Sequence, residues 1–91
     1  MPNTYVQGAI VRLTGKFRDE DGVLADPAIV TLKVENPQGN EATYTDAVKE
    51  STGIYYRDVI VATDGSWHYR WEGVYGQVDE EEFYVRKSVF Y

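Results

Sequence analysis

Residues 65–73 read GSWHYRWEG, with Trp67, Tyr69 and Trp71 on every second position and Ser66, His68, Arg70 and Glu72 between them. A β-strand sends alternate side chains to opposite faces, so the three large rings share one side. That side is either a hydrophobic core or a platform for stacking on a sugar or a protein. The chain has 91 residues and no Cys. A single small domain of this size, with no disulfides to brace it, must fill its centre with large side chains. The stripe is therefore read as core. Trp71, at the strand's end before Glu72 and Gly73, is the ring expected to stand outside, and a sugar-stacking alternative would use it together with Tyr75.

Outward from this stretch, short alternating runs recur between turn signals, and helical periodicity is nearly absent. AIVRLTGKF puts Val11, Leu13 and Phe17 on one face. After the charged turn RDEDG and the strand-opening ADP at 25–27, AIVTLKVEN places Val30, Leu32 and Val34 inward. NPQGN is a turn, because Pro37 presets its backbone angle and Gly39 can take a positive one. EATYT is a short strand, and DAVKE (46–50) forms a helical turn at most. In IYYRDVIVA the face carrying Tyr55, Arg57, Val59 and Val61 is preferred as core, since a mid-face Asp58 is costlier to bury than an Arg that can snorkel. EFYVRKSVF is the last strand. About seven strands between Gly/Pro turns predict an all-β, immunoglobulin-like antiparallel sandwich occupying residues 1–91 as one domain. Its predicted core is Leu13, Phe17, Leu32, Val34, Tyr55, Val59, Trp67, Tyr69 and Phe83.

Hydrophobic residues at 43% and charged residues at 26% suit a folded globular protein. The net charge of −6 argues against nucleic acid and anionic membranes as partners, because the cations do not cluster beyond Arg86 and Lys87. The chain starts at its own Met with no basic-then-apolar leader, and no stretch approaches a membrane span. It reads as a soluble protein.

Chemistry-bearing constellations are sparse. Asp79–Glu82 and Asp19–Asp21 are acidic runs, but they lack the spaced ligands of a calcium loop and read as solvated loops, so no metal and no cofactor is expected. His68 shares a strand face with Ser66, yet no nucleophile elbow or phosphate-cradling glycine loop accompanies the pair. No catalytic residue is assigned, and a hydrolase built around His68 is the weakest of the three readings weighed.

The order VRLTGKF, DEDGVLADPAIVTLKVENPQGN, STGIYY, DGSWHYRWEG, EFYV resembles small immunoglobulin-like proteins encoded among the head and tail genes of tailed bacteriophages and prophages. The resemblance rests on Asp26-Pro27, Asn36-Pro37 with Gly39, Gly53 with Tyr55, and Gly65 with the aromatic stripe. Bacterial immunoglobulin-like repeats and macroglobulin-type domains share the same rhythm. The resemblance implies a non-enzymatic structural role in a virion, at the head, the head–tail junction or the tail, assembled in the host cytoplasm. Other virion proteins and further copies of the chain are the partners it implies. Tyr75, Tyr84, Phe90 and Tyr91 are the candidate aromatic anchors, with Arg86 and Lys87 as polar rim and the final strand's edge open for pairing.

Overall fold

In a computed structural model describing residues 4–74 and 78–90, the alternating runs become eight strands: β1 (Thr4–Val6), β2 (Ile10–Lys16), β3 (Val30–Glu35), β4 (Glu41–Tyr44), β5 (Val48–Ser51), β6 (Ile54–Ile60), β7 (Gly65–Gly73) and β8 (Val78–Arg86). They form a five-stranded sheet ordered β1-β8-β7-β3-β4 and a three-stranded sheet ordered β2-β6-β5. All pairings are antiparallel except β1 with β8. The described residues contain no helix, so none is long and apolar enough to cross a membrane.

Burial follows the alternation. Along β2, Val11, Leu13 and Gly15 are buried while Ile10, Arg12, Thr14 and Lys16 are exposed. The two inner faces meet in a core of Val11, Leu13, Phe17, Leu32, Val34, Val59, Val61, Trp67, Trp71, Phe83 and Val85. Trp67 stacks on Phe83 at 5.9 Å between ring centroids, and its indole N–H donates to the Thr63 carbonyl at 2.8 Å. The Asn36–Asn40 turn forms as expected. The Asn36 carboxamide oxygen accepts from the Gln38 and Asn40 amides, and Gly39 takes a φ of 86°.

Four expectations need correction. Trp71 is not the outlying ring but a fully buried one, at 0% exposure. Gly15 of β2 makes the space: a Cβ there would lie 2.5 Å from the Trp71 ring. Trp71 therefore presents no face to a sugar. Tyr55 and Tyr69 are only partly buried and pack against the core rather than within it. Residues 48–50 of the expected helical turn belong instead to an edge strand, Val48–Ser51, paired through Val48 with Tyr56. The acidic run Asp79–Glu82 is no loop, since it pairs along β7, with Glu80 opposite Arg70 and Glu82 opposite His68. Cross-strand pairing outweighs the low strand preference of a Glu run where Arg70 stands opposite Glu80 and Glu80, Glu81 and Glu82 stay exposed.

Candidate functional site

Tyr84 is on the outer face of β8, 47% exposed, as alternation with buried Phe83 and Val85 requires. Arg86 and Lys87 are exposed beyond it. Tyr75 and Tyr91 lie outside the described residues. The edge of β8 is not free along its whole length. β1 runs parallel beside it, with Thr4, Tyr5 and Val6 opposite Tyr84, Val85 and Arg86. The Gln7 amide then continues the pairing to the Arg86 carbonyl at 2.9 Å. The predicted pairing edge is thus occupied at its C-terminal end, and the chain's own N-terminal strand occupies it.

The segment after β8 is anchored yet exposed. The Gln7 side chain donates to the Ala62 carbonyl at 3.0 Å and accepts from the Ser88 amide at 3.3 Å. The Phe90 amide donates to Ser88 Oγ at 3.0 Å. These bonds hold a short turn on which Val89 and Phe90 stand 88% and 96% exposed. Sequence reasoning does not reach Gln7. A side chain bridging segments 55 and 81 residues away leaves no periodic trace in sequence.

The outer face of the five-stranded sheet is a charged lattice. Arg70 bonds Glu72 at 2.9 Å and Glu80 at 3.3 Å, while Lys33 reaches Glu72 at 3.3 Å. His68 sits between Glu35 of β3 and Glu82 of β8, its Nδ1 3.6 Å from the Glu82 carboxylate. Lys33, Glu35, Glu41, His68, Arg70 and Glu80 line a shallow open recess there. Exposed pairs of this kind contribute little stability each. Among the described residues no group of three or more His, Asp or Glu side chains converges in metal-holding geometry. The Asp19 carboxylate is used locally, accepting the Asp21 and Val23 amides at 2.9 and 3.0 Å and so shaping its own turn.

A second polar node ties the three-stranded sheet to the β2–β3 connection. Where β2 ends and β6 begins, Phe17 donates its amide to the Gly53 carbonyl, but the return bond is missing. The Ala25–Asp26 segment takes its place. The Ala25 amide donates to the Phe17 carbonyl at 3.1 Å, and the Asp26 carboxylate accepts the Gly53 amide at 2.8 Å. The same carboxylate accepts from Lys49 Nζ at 2.6 Å and the Tyr55 hydroxyl at 3.1 Å. Gly53 and Tyr55 thus share Asp26 as their acceptor. On the other flank, Arg57 escapes the core edge as a snorkelling Arg should. Its guanidinium lies 3.7 Å over the Tyr44 ring and bonds Asp46 at 2.9 Å, closing the sandwich between β6 and β4.

The Asp26 node gives a pH prediction. The Lys49 hydrogen bond, then the Gly53 amide and the Tyr55 hydroxyl, hold the Asp26 carboxyl below its ordinary value of 3.8. A lowered folded-state pKa means stability present above the unfolded value and lost as pH falls through the folded one. Asp26→Asn should therefore melt lower than the parent at neutral pH, with the gap narrowing as both are titrated below about pH 4. Thermal melts across that range check it, and a gap that stays constant would refute the coupling.

The strand order and packing are those of an immunoglobulin-like β-sandwich. The crystal structure of the Lin-41 filamin domain superposes with a TM-score of 0.74 over 91% of this chain and 82% of that one, at 15% sequence identity. At that identity the likeness establishes the fold and nothing finer. No protein-family profile and no curated protein sequence matches the chain.

Proposed function

We propose that the chain is a non-enzymatic structural and interaction module of a tailed-bacteriophage particle, meeting its partner through the C-terminal end of the five-stranded sheet. One observation carries the contact surface. Val89 and Phe90 are held on a hydrogen-bonded turn by Gln7 and Ser88 yet remain almost wholly exposed. Ordering apolar side chains in water brings no gain by itself, whereas aromatic anchors beside Arg are enriched in protein interfaces. Tyr84 and Arg86 extend the surface along β8, with Lys87 next in the chain. The virion setting is drawn from the sequence resemblance, and the sandwich fold is compatible with it.

The test uses two variants, Tyr84→Ser and a chain ending at Val89. Neither removes a core side chain, so both should melt within a few degrees of the parent. Particles fractionated from a producing lysate should carry the parent chain and lose both variants. Absence of the parent from purified particles would refute the virion role. Full retention of both variants would refute this surface.

A further inference from the structure

The outer edge of β2 has no strand beside it among the described residues, where β2 pairs only with β6. The phase of the ladder fixes which backbone groups are open. Val61 donates to the Ala9 carbonyl and Phe17 donates to the Gly53 carbonyl, so odd-numbered residues of β2 turn their amides and carbonyls toward β6. In an antiparallel pair the alternate residues turn theirs away. Ile10, Arg12, Thr14 and Lys16 thus present a row of open donors and acceptors, and the same four residues carry the exposed side chains.

The other open edges of the described residues are blunted. β1 has three residues, β4 has four, and β5 has four with a register break between Lys49 and Ser51. The free part of β8, Val78–Phe83, carries Glu80 and Glu82 outward and Asp79 and Glu81 on the core side of the strand. Short length, bulges and inward-pointing charge all keep sheet edges from pairing, and so do outward cations. β2 has only the last, Arg12 and Lys16, which repel a basic strand but not an acidic one; it has seven residues, no Pro, no break in register, and only apolar side chains or Gly on its inner face.

Charge then selects the occupant. Residues 10–18, IVRLTGKFR, hold Arg12, Lys16 and Arg18 and no acid, in a chain whose net charge is −6. Arg12 is held 4.0 Å over the Tyr56 ring by its bond to Asp58 at 2.9 Å, and Lys16 has no ion-pair partner among the described residues. A second copy offering its free β8 edge would bring its own Asp79 and Glu81 against the sandwich mouth, which disfavours self-pairing there.

We infer that β2 is a docking edge for an extended segment of a partner protein bearing acidic side chains at alternate positions. The added strand takes its main-chain hydrogen bonds from Ile10, Arg12, Thr14 and Lys16. Its carboxylates lie beside Arg12 and Lys16, and its other face carries small apolar residues over the sandwich opening. This edge is distinct from the C-terminal surface. The inference rests on the reading of the chain as an interaction module, and particle association of the C-terminal variants reports on that reading independently.

The probe is the end-blocked peptide Thr-Glu-Val-Glu-Val-Glu-Thr, with its Lys-for-Glu counterpart as control, titrated into the ¹⁵N-labelled full chain. The acidic peptide should shift the amides of Ile10, Arg12, Thr14 and Lys16 saturably, and the lysine peptide should not. Thr14→Pro removes an outward N–H that the β2–β6 ladder does not use, and it should abolish binding. Lys16→Glu, which leaves the backbone alone, should weaken binding about threefold to fivefold. Absence of shifts along β2 at millimolar acidic peptide would overturn the inference, as would equal binding of the lysine peptide or shifts confined to β4, β5 or β8. Concentration-dependent shifts of β2 in the peptide-free parent, lost in Thr14→Pro, would identify a second copy as the occupant and overturn the acidic partner.

Discussion

Trp71→Ala is expected to destabilise the protein by about 3–5 kcal/mol, the range for truncating a large buried aromatic side chain. Domains of this size are stable by only about 5–15 kcal/mol, so the variant should lose a large fraction of its total stability. Trp71 is fully buried, packs edge-on to Phe17 at 6.2 Å, and lies against the bare backbone of Gly15. Loss of the indole leaves a cavity bounded by both sheets. Its buried Nε1 has no hydrogen-bond partner among the described residues. An unmet buried donor is worth about 1–3 kcal/mol of penalty. Trp71→Phe sheds that donor along with part of the ring and should therefore lose much less than the alanine variant. Urea titration of the two variants checks both statements. An alanine variant within about 0.5 kcal/mol of the parent, the scatter of ordinary surface substitutions, would mean the ring is not central.

Gly53→Ala should be nearly as damaging although it adds a single methyl group. Gly53 has a φ of 75°, where a side chain costs about 1–2 kcal/mol. Its Cβ would lie 2.7 Å from the Phe17 carbonyl oxygen and 2.9 Å from the Ala25 nitrogen. Both are backbone atoms of the bracket that Asp26 completes, so relief requires moving main chain rather than a flexible tip. Overpacking of this kind adds about 1–3 kcal/mol. The melt should shift down with loss of slowed amide exchange at Gly53 and Ala25. Gly22→Ala makes the comparison fair, since Gly22 has a similar φ of 80° with nothing within 4 Å of its Cβ position. Equal destabilisation of the two variants would show that strain alone acts, without the bracket.

Much of the fold is legible in sequence because strand alternation is a local signal. Leu13, Phe17, Leu32, Val34, Val59, Trp67 and Phe83 are buried as their phase predicts, and Tyr84 faces out because Phe83 and Val85 face in. The candidate contact surface is legible only in part. Tyr84, Arg86, Lys87 and Phe90 are exposed, but their setting depends on β1, a three-residue strand too short to carry a periodicity of its own. Trp71 departs from expectation because position at a strand end is a poor guide to burial when the opposing sheet offers a glycine. The acidic run departs from it because a Glu row has little strand preference until Arg70 and His68 stand beside it.

Local side-chain pattern is enough to set the all-β class, the inward face of nearly every long strand and the turn at Asn36–Asn40, since each depends on side chains within a few residues of one another. Assembly of the whole sandwich is needed before β1 caps the end of β8, Gly15 admits Trp71, Asp26 completes a ladder 27 residues away, and β2 is left as the long open edge. Those outcomes depend on which strands become neighbours. That choice is made by the packing of two whole sheets against each other and by loop closure over tens of residues, and no local run of side chains encodes it.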